Sequence, residues 1–359
     1  MEGISIAAIQ ACTRNGPKWG GTTSTLCLPP PYKILINKYT QNVPSASCSL
    51  PIIDFGLLSS PTKQKQELQR LRSALSCWGC FVAINYGTSS SLLDKVRQVA
   101  REFFEQPMEQ KKIISKGVEE FEGYGADPVP EEGQSLDWSD RLFLDVSEDT
   151  RKPSLWPENP SSLRDAVEEY SAKMREATNL ISKAIAKSLD LEENCFLNQF
   201  GSTTTLFVHD RPNLVLGLKP HADGSGYIII LQDDVERLQV HHDGKWFTIS
   251  TISHALLVLM GDQMDIMTNG IFKSPVHRVL ANSKRERISV AMFYTPEPNK
   301  EIGPEQSLVN EEQPRYYADT HWKYYQRGMR AIHVAKDITV VARLLESRAL
   351  NKIKPIDAN

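Results

Sequence analysis

The sequence predicts a mainly β protein with helices added, built on a jelly-roll or barrel core. Three observations carry that expectation. Between about residues 214 and 294, short apolar runs alternate with turn residues at regular spacing. Upstream, Leu163, Val167, Tyr170, Met174, Ile181, Ile185 and Leu189 recur at steps of three, four or seven, the stripe of one long amphipathic helix over 161–190. The 359 residues are 40% apolar and 24% charged, a composition able to bury a sizeable core.

Taken in order, residues 1–49 are rich in Ser, Thr, Pro and Gly and carry one acid, Glu2. A loosely ordered tail is expected there. The apolar stretch Ile4–Ile9 is too brief for a signal peptide and lacks a basic flank. Ordered pattern begins near Leu50, with a strand over Pro51–Phe55. Lys63–Cys77 reads as a helix with Leu68, Leu71 and Leu75 on one face. Phe81–Ile84 is a strand. Ser91–Glu105 is a helix lined by Leu92, Val96, Val99 and Phe103 and closed by Pro107. Residues 106–160 look irregular, with a strand-like Leu142–Leu144. Ser161 or Ser162 then caps the long helix.

The β region follows. Leu238–His242 and Lys245–Ile249 flank Asp243-Gly244, the strongest short hairpin signal. Tyr227–Leu231, Ala255–Met260, Gln263–Met267, Val276–Leu280 and Ile288–Tyr294 read as the other strands. Residues 314–347 return to a helical pattern. The expected organisation is a tail (1–49), an N-terminal α/β module (50–200), a β core (201–313) and a C-terminal helical segment (314–359).

Composition excludes several classes. Lys+Arg is 41 against Asp+Glu 44, a net charge of −3, which argues against nucleic-acid binding. No apolar run is long enough to predict a membrane span. Six cysteines are too few for a disulfide scaffold and fit free thiols in reducing cytosol. Cys77 and Cys80 form a C-x-x-C, read as two small buried residues where a helix meets a strand rather than as a redox pair.

The chemistry concentrates in a few positions. His221 and Asp223 stand two apart, so on an extended strand both side chains leave the same face. His277 stands on a late strand. Two histidines and one carboxylate on neighbouring strands make the facial triad suited to non-haem Fe(II), which leaves coordination positions open. Arg287 and Ser289 share the face of another strand. A guanidinium fork beside a hydroxyl suits a remote carboxylate. A metal site with a carboxylate anchor fits 2-oxoglutarate, whose keto acid end chelates iron. His-x-Asp alone is a weak signal. The triad together with Arg-x-Ser, all on predicted strands of one unit, is a strong one. His241 and His242 flank a turn and His254 precedes a strand, so all three read as surface residues. His321 and His333 have no partner spacing, and His209 is not read as a ligand.

At these residues the chain resembles the plant Fe(II)/2-oxoglutarate-dependent dioxygenases, from about Leu50 to Ile338. Pro51–Asp54, Trp78–Gly87, Gly217–Ser225, Leu231–Asp233, Gly244–Trp246, Gly261–Gln263, Ser274–Arg278 and Glu286–Ser289 carry the similarity. Phe121–Gly125 and Leu136–Arg141 resemble the specialised-metabolism group, similar to senescence-related and norcoclaurine-synthase-like proteins. The resemblance implies a double-stranded β-helix core. It implies iron bound by His221, Asp223 and His277, and 2-oxoglutarate bound by Arg287 and Ser289. It also implies O₂ as co-substrate, with ascorbate as an accessory reductant. The expected activity is hydroxylation, demethylation or desaturation of a small plant metabolite, with succinate and CO₂ as co-products, by a cytoplasmic monomer with no nucleic-acid or membrane partner.

One departure bears on activity. The family runs an Asn-aromatic strand before His-x-Asp, and residues 202–210 here are shorter and match neither the Asn nor the Tyr. Two further readings follow: a barrel that binds metal or a small molecule without turnover, and an iron enzyme using another reductant. Phe121, Tyr124, Phe143, Phe207 and Phe293 are candidates for an apolar pocket lining, although such residues are more often plain core.

Overall fold

The computed structural model describes residues 46–117, 122–125, 139–147, 150–210, 216–280, 285–296, 300–317 and 320–321, the backbone alone over 46–47, 201–210 and 320–321 and at 139, 216 and 219. Two sheets face one another. The smaller takes the order β1(Ala46–Cys48), β10(Lys245–Ile249), β9(Leu238–His242), β12(His277–Leu280), β7(Leu216–His221). The larger runs β2(Ile52–Asp54), β3(Cys80–Ile84), β11(Leu256–Met260), β8(Tyr227–Gln232), β13(Arg287–Pro296), β6(Phe200–Asp210), β5(Ser139–Asp145), β4(Gly123–Tyr124). This is the jelly-roll expected from the strand pattern. The larger sheet continues across residue 200, because β2 and β3 extend one edge and β4 and β5 the other.

Apolar alternation explains the layering. In β8, Ile228 and Ile230 join Leu238, Val240, Leu257 and Leu259 in the core between the sheets. Tyr227, Ile229 and Leu231 face the other way, into the core shared with the helices. A strand buried on both faces reads as a continuous apolar run, and β8 and β11 do. The helices are α1(Gln64–Cys77), α2(Ser90–Glu105) and α3(Leu163–Ser188). The Ser89 hydroxyl caps α2 by accepting from Leu92 N–H at 3.3 Å. Ser162 occupies the cap position of α3 without a side-chain cap bond. Polar contacts pin α3 to the sheet: Tyr227 Oη lies 2.8 Å from Ser182 Oγ, and Tyr294 Oη donates to Met174 O at 3.2 Å.

Three expectations need correction. Gln263–Met267 is no strand: Asp262–Met267 forms the short helix α4. All six of its residues are buried, so apolar alternation carries no information, and acidic side chains in a first turn favour a helix. The C-terminal region does not return to helix at 314. Asn269 accepts from Tyr316 N–H at 2.8 Å, and Tyr317 Oη donates to Asp265 at 2.8 Å, which holds that stretch against α4. Thr320–His321 is then β15, paired with β14(Glu301–Ile302). The remainder of the predicted helix, with His333, lies outside the described residues. Leu142–Leu144 belongs to a longer strand, because β5 pairs with β6 over seven residues despite its polar Asp140 and Arg141.

The C-x-x-C reading holds in part. Cys80 is buried at the start of β3, but Cys77 is exposed at the end of α1, and both are free thiols. Between them Gly79 adopts φ +68°, the left-handed residue that ends α1. A Cβ there would meet Lys273 O at 2.2 Å, so glycine is required on two grounds. Burial pushes the Cys80 thiol well up, and the Cys195 thiol to about 12. Only a thiolate alkylates readily. Iodoacetamide at neutral pH is therefore expected to label Cys77 first among these three, with Cys80 reacting only after unfolding. Peptide mapping by mass spectrometry checks this, and early labelling of Cys80 would refute the packing described.

Candidate active site

The metal-ligating candidates meet where the two strands that carry them pair. β12 lies antiparallel to β7, with His277 directly opposite His221. On its other side His277 pairs with Val240, an inter-sheet core residue. Direct cross-strand partners share a face, so His277 points between the sheets. The imidazole rings of His221 and His277 stand 4.3 Å apart at 51°. β7 ends at His221, so Asp223 is supplied by the loop beyond the strand rather than by the strand itself. Buried Ala222 separates the two, and both flanking side chains reach the same point. Asp223 Oδ1 lies 3.6 Å from His221 Nε2, and Oδ2 lies 3.3 Å from His277 Nε2. One ligand atom from each of the three residues falls within 4.8 Å of the others. Among the described residues this is the one such cluster.

Neighbouring groups orient the three. His277 Nδ1 lies 3.2 Å from Pro275 O, which turns Nε2 toward Asp223. The Asp223 loop is held by the chain entering α4. Asp262 N–H donates to Asp223 O at 2.8 Å, Gln263 N–H to Ser225 O at 3.2 Å, and Gly261 N–H to Gly226 O at 2.8 Å. Gly261 permits this approach, since a Cβ would stand 2.0 Å from Ser225 O. Two imidazole nitrogens and one carboxylate oxygen, converging and partly shielded from water, form a donor set that fits Fe(II).

Arg287 and Ser289 lie on the inner face of β13. They alternate with Ile288 and Val290, which face the helices, while Ala291 further along the strand belongs to the inter-sheet core. Both are buried, and Arg287 Nη1 donates to Ser289 Oγ at 3.0 Å. The spacing on β13 thus produces the shared face predicted for the pair. β6 pairs with β13 along its length, setting Val208 opposite Ser289 and Asp210 opposite Arg287. Residues 202–210 therefore lie within one strand that stays paired with β13 throughout. His209 pairs with Ile288 in register.

The remaining candidates scatter. Tyr124 belongs to the helix-side core. Phe143 is half-buried on β5, and Phe293 is half-buried against the inter-sheet core. Phe121 and the side chain of Phe207 lie outside the described residues. His254 is half-buried and bonds Asp94 at 3.0 Å. His242 is half-buried and stacks on Trp78 at 4.2 Å. Burial holds His241 below its usual pKa, with Arg278 and His242 adding to the effect. Residues that motif reading left without a role are Pro275, Gly261 and Gln232. Only strand register and loop contacts reveal them.

Comparison with known proteins identifies the family. Residues 192–296 match the family model of the 2OG-Fe(II) oxygenase superfamily, and residues 50–159 match the N-terminal region of non-haem dioxygenases in morphine synthesis. Protein SRG1 of Arabidopsis thaliana is 35% identical over 290 residues, covering 78% of this chain and 81% of SRG1. The chain belongs to the 2OG-Fe(II) oxygenase superfamily. Codeine O-demethylase of Papaver somniferum is 37% identical over 280 residues, covering 75% of this oxygenase and 78% of the demethylase. The crystal structure of JOX2 in complex with 2OG, Fe and JA matches with a TM-score of 0.77 at 32% identity, covering 86% of this oxygenase and 91% of JOX2. Membership makes the chain a 2-oxoglutarate-dependent dioxygenase that uses Fe(II) and O₂ to oxidise small molecules. Among the described residues no helix is long and apolar enough to cross a membrane.

Gly261→Ala is expected to force the Asp223 loop and α4 apart, at a cost of about 1–3 kcal/mol of overpacking strain. Denaturant unfolding of the metal-free protein measures that loss. An unchanged midpoint would refute the tight approach.

Proposed function

We propose that His221, Asp223 and His277 hold the iron, that Arg287 and Ser289 bind the far carboxylate of 2-oxoglutarate, and that the oxygenase oxidises a small, largely apolar plant metabolite in the cytoplasm. The observation that carries this reading is the convergence of the three donor atoms within 4.8 Å. It is supported by a buried guanidinium–hydroxyl pair on the inner face of the opposing sheet. Hydroxylation, demethylation and desaturation all fit this arrangement, and the substrate selects among them.

When bound, iron and 2-oxoglutarate would supply the oxidising chemistry from O₂, with succinate and CO₂ as co-products. The protein's own share is geometric and electrostatic. His221 and His277 present Nε2 toward Asp223, with His277 steadied through its Nδ1. The loop from Asp223 to Gly226 is held by the backbone amides of 261–263, so the carboxylate is presented without reorganisation. Arg287 supplies a cation where water is excluded, which strengthens a charge-assisted bond to a dicarboxylate. The inactive-barrel reading rested on a shortfall before His221. The unbroken β6 favours the active reading instead.

His221→Ala or Asp223→Ala is expected to abolish substrate-dependent succinate formation in the presence of Fe(II), 2-oxoglutarate and ascorbate. Retained turnover in either variant would refute the metal assignment. Arg287→Ala is expected to raise the 2-oxoglutarate requirement by about tenfold or more, the loss of a charge-assisted hydrogen bond. Titration of 2-oxoglutarate in the same assay checks it, and an unchanged requirement would remove the anchor role. A screen of candidate plant metabolites for stimulated 2-oxoglutarate consumption identifies the substrate class.

A further inference from the structure

Beside Arg287 stands a side chain to which no catalytic or binding role has yet been given. Gln232 is the last residue of β8, and β8 pairs with β13 so that Gln232 is directly opposite Ser289. Its neighbours at alternate positions, Ile228 and Ile230, face the core between the sheets. Gln232 therefore faces the same space, and it is buried. Arg287 Nη2 donates to Gln232 Oε1 at 3.1 Å, while Nη1 donates to Ser289 Oγ at 3.0 Å.

We propose that Gln232 is a positioning residue for the 2-oxoglutarate anchor, aiming the Arg287 guanidinium with an uncharged acceptor that adds no negative charge against the incoming carboxylate. The inference rests on the reading of Arg287 and Ser289 as that anchor. Two features make the position rigid. Arg97 on α2 donates from Nε to Gln232 O at 3.0 Å, fixing the backbone from the helix side, and its own Nη1 is held by Asp94 at 3.0 Å. Asp233, the next residue, turns its carboxylate to backbone amides. It accepts from Ile288 N–H at 2.6 Å and from Val235 N–H at 2.9 Å. Adjacent residues thus divide two tasks. The carboxylate of Asp233 locks the strand just after Arg287, and the amide of Gln232 meets the guanidinium itself.

The choice of amide over carboxylate carries the argument. A planar guanidinium needs an in-plane acceptor to fix its orientation, and either Gln or Glu could provide one. A carboxylate in this place would form a charge-assisted pair and set a full negative charge against the group that must bind a dianion. An amide oxygen brings only a dipole. Gln232 therefore orients the cation at low electrostatic cost to ligand binding. A purely structural role for the residue predicts no such difference between Gln and its isostere.

The test is an anaerobic titration of the Fe(II)-loaded protein with two 2-oxo acids, following the visible charge-transfer absorption of the chelate. One is 2-oxoglutarate. The other is 2-oxobutanoate, which offers the same chelating end and lacks the remote carboxylate. The wild-type protein is expected to bind 2-oxoglutarate far more tightly than 2-oxobutanoate. Gln232→Leu is expected to raise the Kd for 2-oxoglutarate several-fold. Gln232→Glu is expected to raise it by about tenfold or more. Both variants should keep the wild-type affinity for 2-oxobutanoate and for Fe(II), and in turnover the KM for 2-oxoglutarate should rise with kcat little changed. Should Gln232→Leu fail to fold, the isosteric Gln232→Glu carries the measurement, with circular dichroism reporting its fold. Wild-type preference retained in full by Gln232→Glu would overturn the role of Gln232 while leaving the anchor intact. A wild-type protein with no preference between the two acids would overturn the anchor reading, and this inference with it.

Discussion

The pairing of β12 with β7 is the constraint on which the site depends. A strand exposes alternate side chains to opposite faces, so a slip of one residue would turn His277 out of the barrel and Arg278 in. What prevents the slip is packing on both sides. Val240 and Leu238 hold β12 against β9 from within the inter-sheet core, and β7 closes the other edge. The meeting of the two imidazoles is thus set by apolar contacts. The loop bearing Asp223 has no such ladder to hold it. It borrows order from the start of α4, whose amides bond its carbonyls across a gap that only glycine at 261 allows.

The two halves of the site are built differently. His221 and His277 sit on the smaller sheet with Asp223 on the loop beyond it, and Arg287 and Ser289 sit near the centre of the larger sheet. That larger sheet is buried on both faces, by the opposing sheet and by α2 and α3. A buried guanidinium is tolerated only when its donors meet acceptors, and Ser289 and Gln232 provide two of them. The helical module is therefore more than a cover. Through Arg97 it reaches the backbone of the strand that carries one of those acceptors.

Much of this was legible in the residues themselves. Period-two and continuous apolar runs located β8, β9, β10, β11 and β13 to within a residue or two, and the Asp243-Gly244 hairpin fell where expected. His221, Asp223 and His277 could be read as a set because their types and spacing match one chemistry. Other features were hidden for physical reasons. The helix α4 is buried on every side, so its apolar residues show no period. β5 carries polar residues inside a strand whose extent is set by its seven-residue pairing with β6. The run at 314–321 looked helical because its tethers to Asn269 and Asp265 depend on tertiary approach, which no local pattern records. Gln232 was visible as part of a motif, but its partner lies across a ladder whose register sequence does not state.

The continuity of the larger sheet has a consequence for how the chain assembles. β3 must pair with β11, and β5 with β6, so strands from the first third of the described chain complete a sheet whose middle is synthesised much later. Such long-range pairings raise contact order and slow folding. Until β11 emerges, the edges of β2 and β3 stay open and able to pair with foreign strands. The loop bearing Asp223 can therefore settle only after β12 and β13 have been made, when the barrel closes over strands that have been waiting for it.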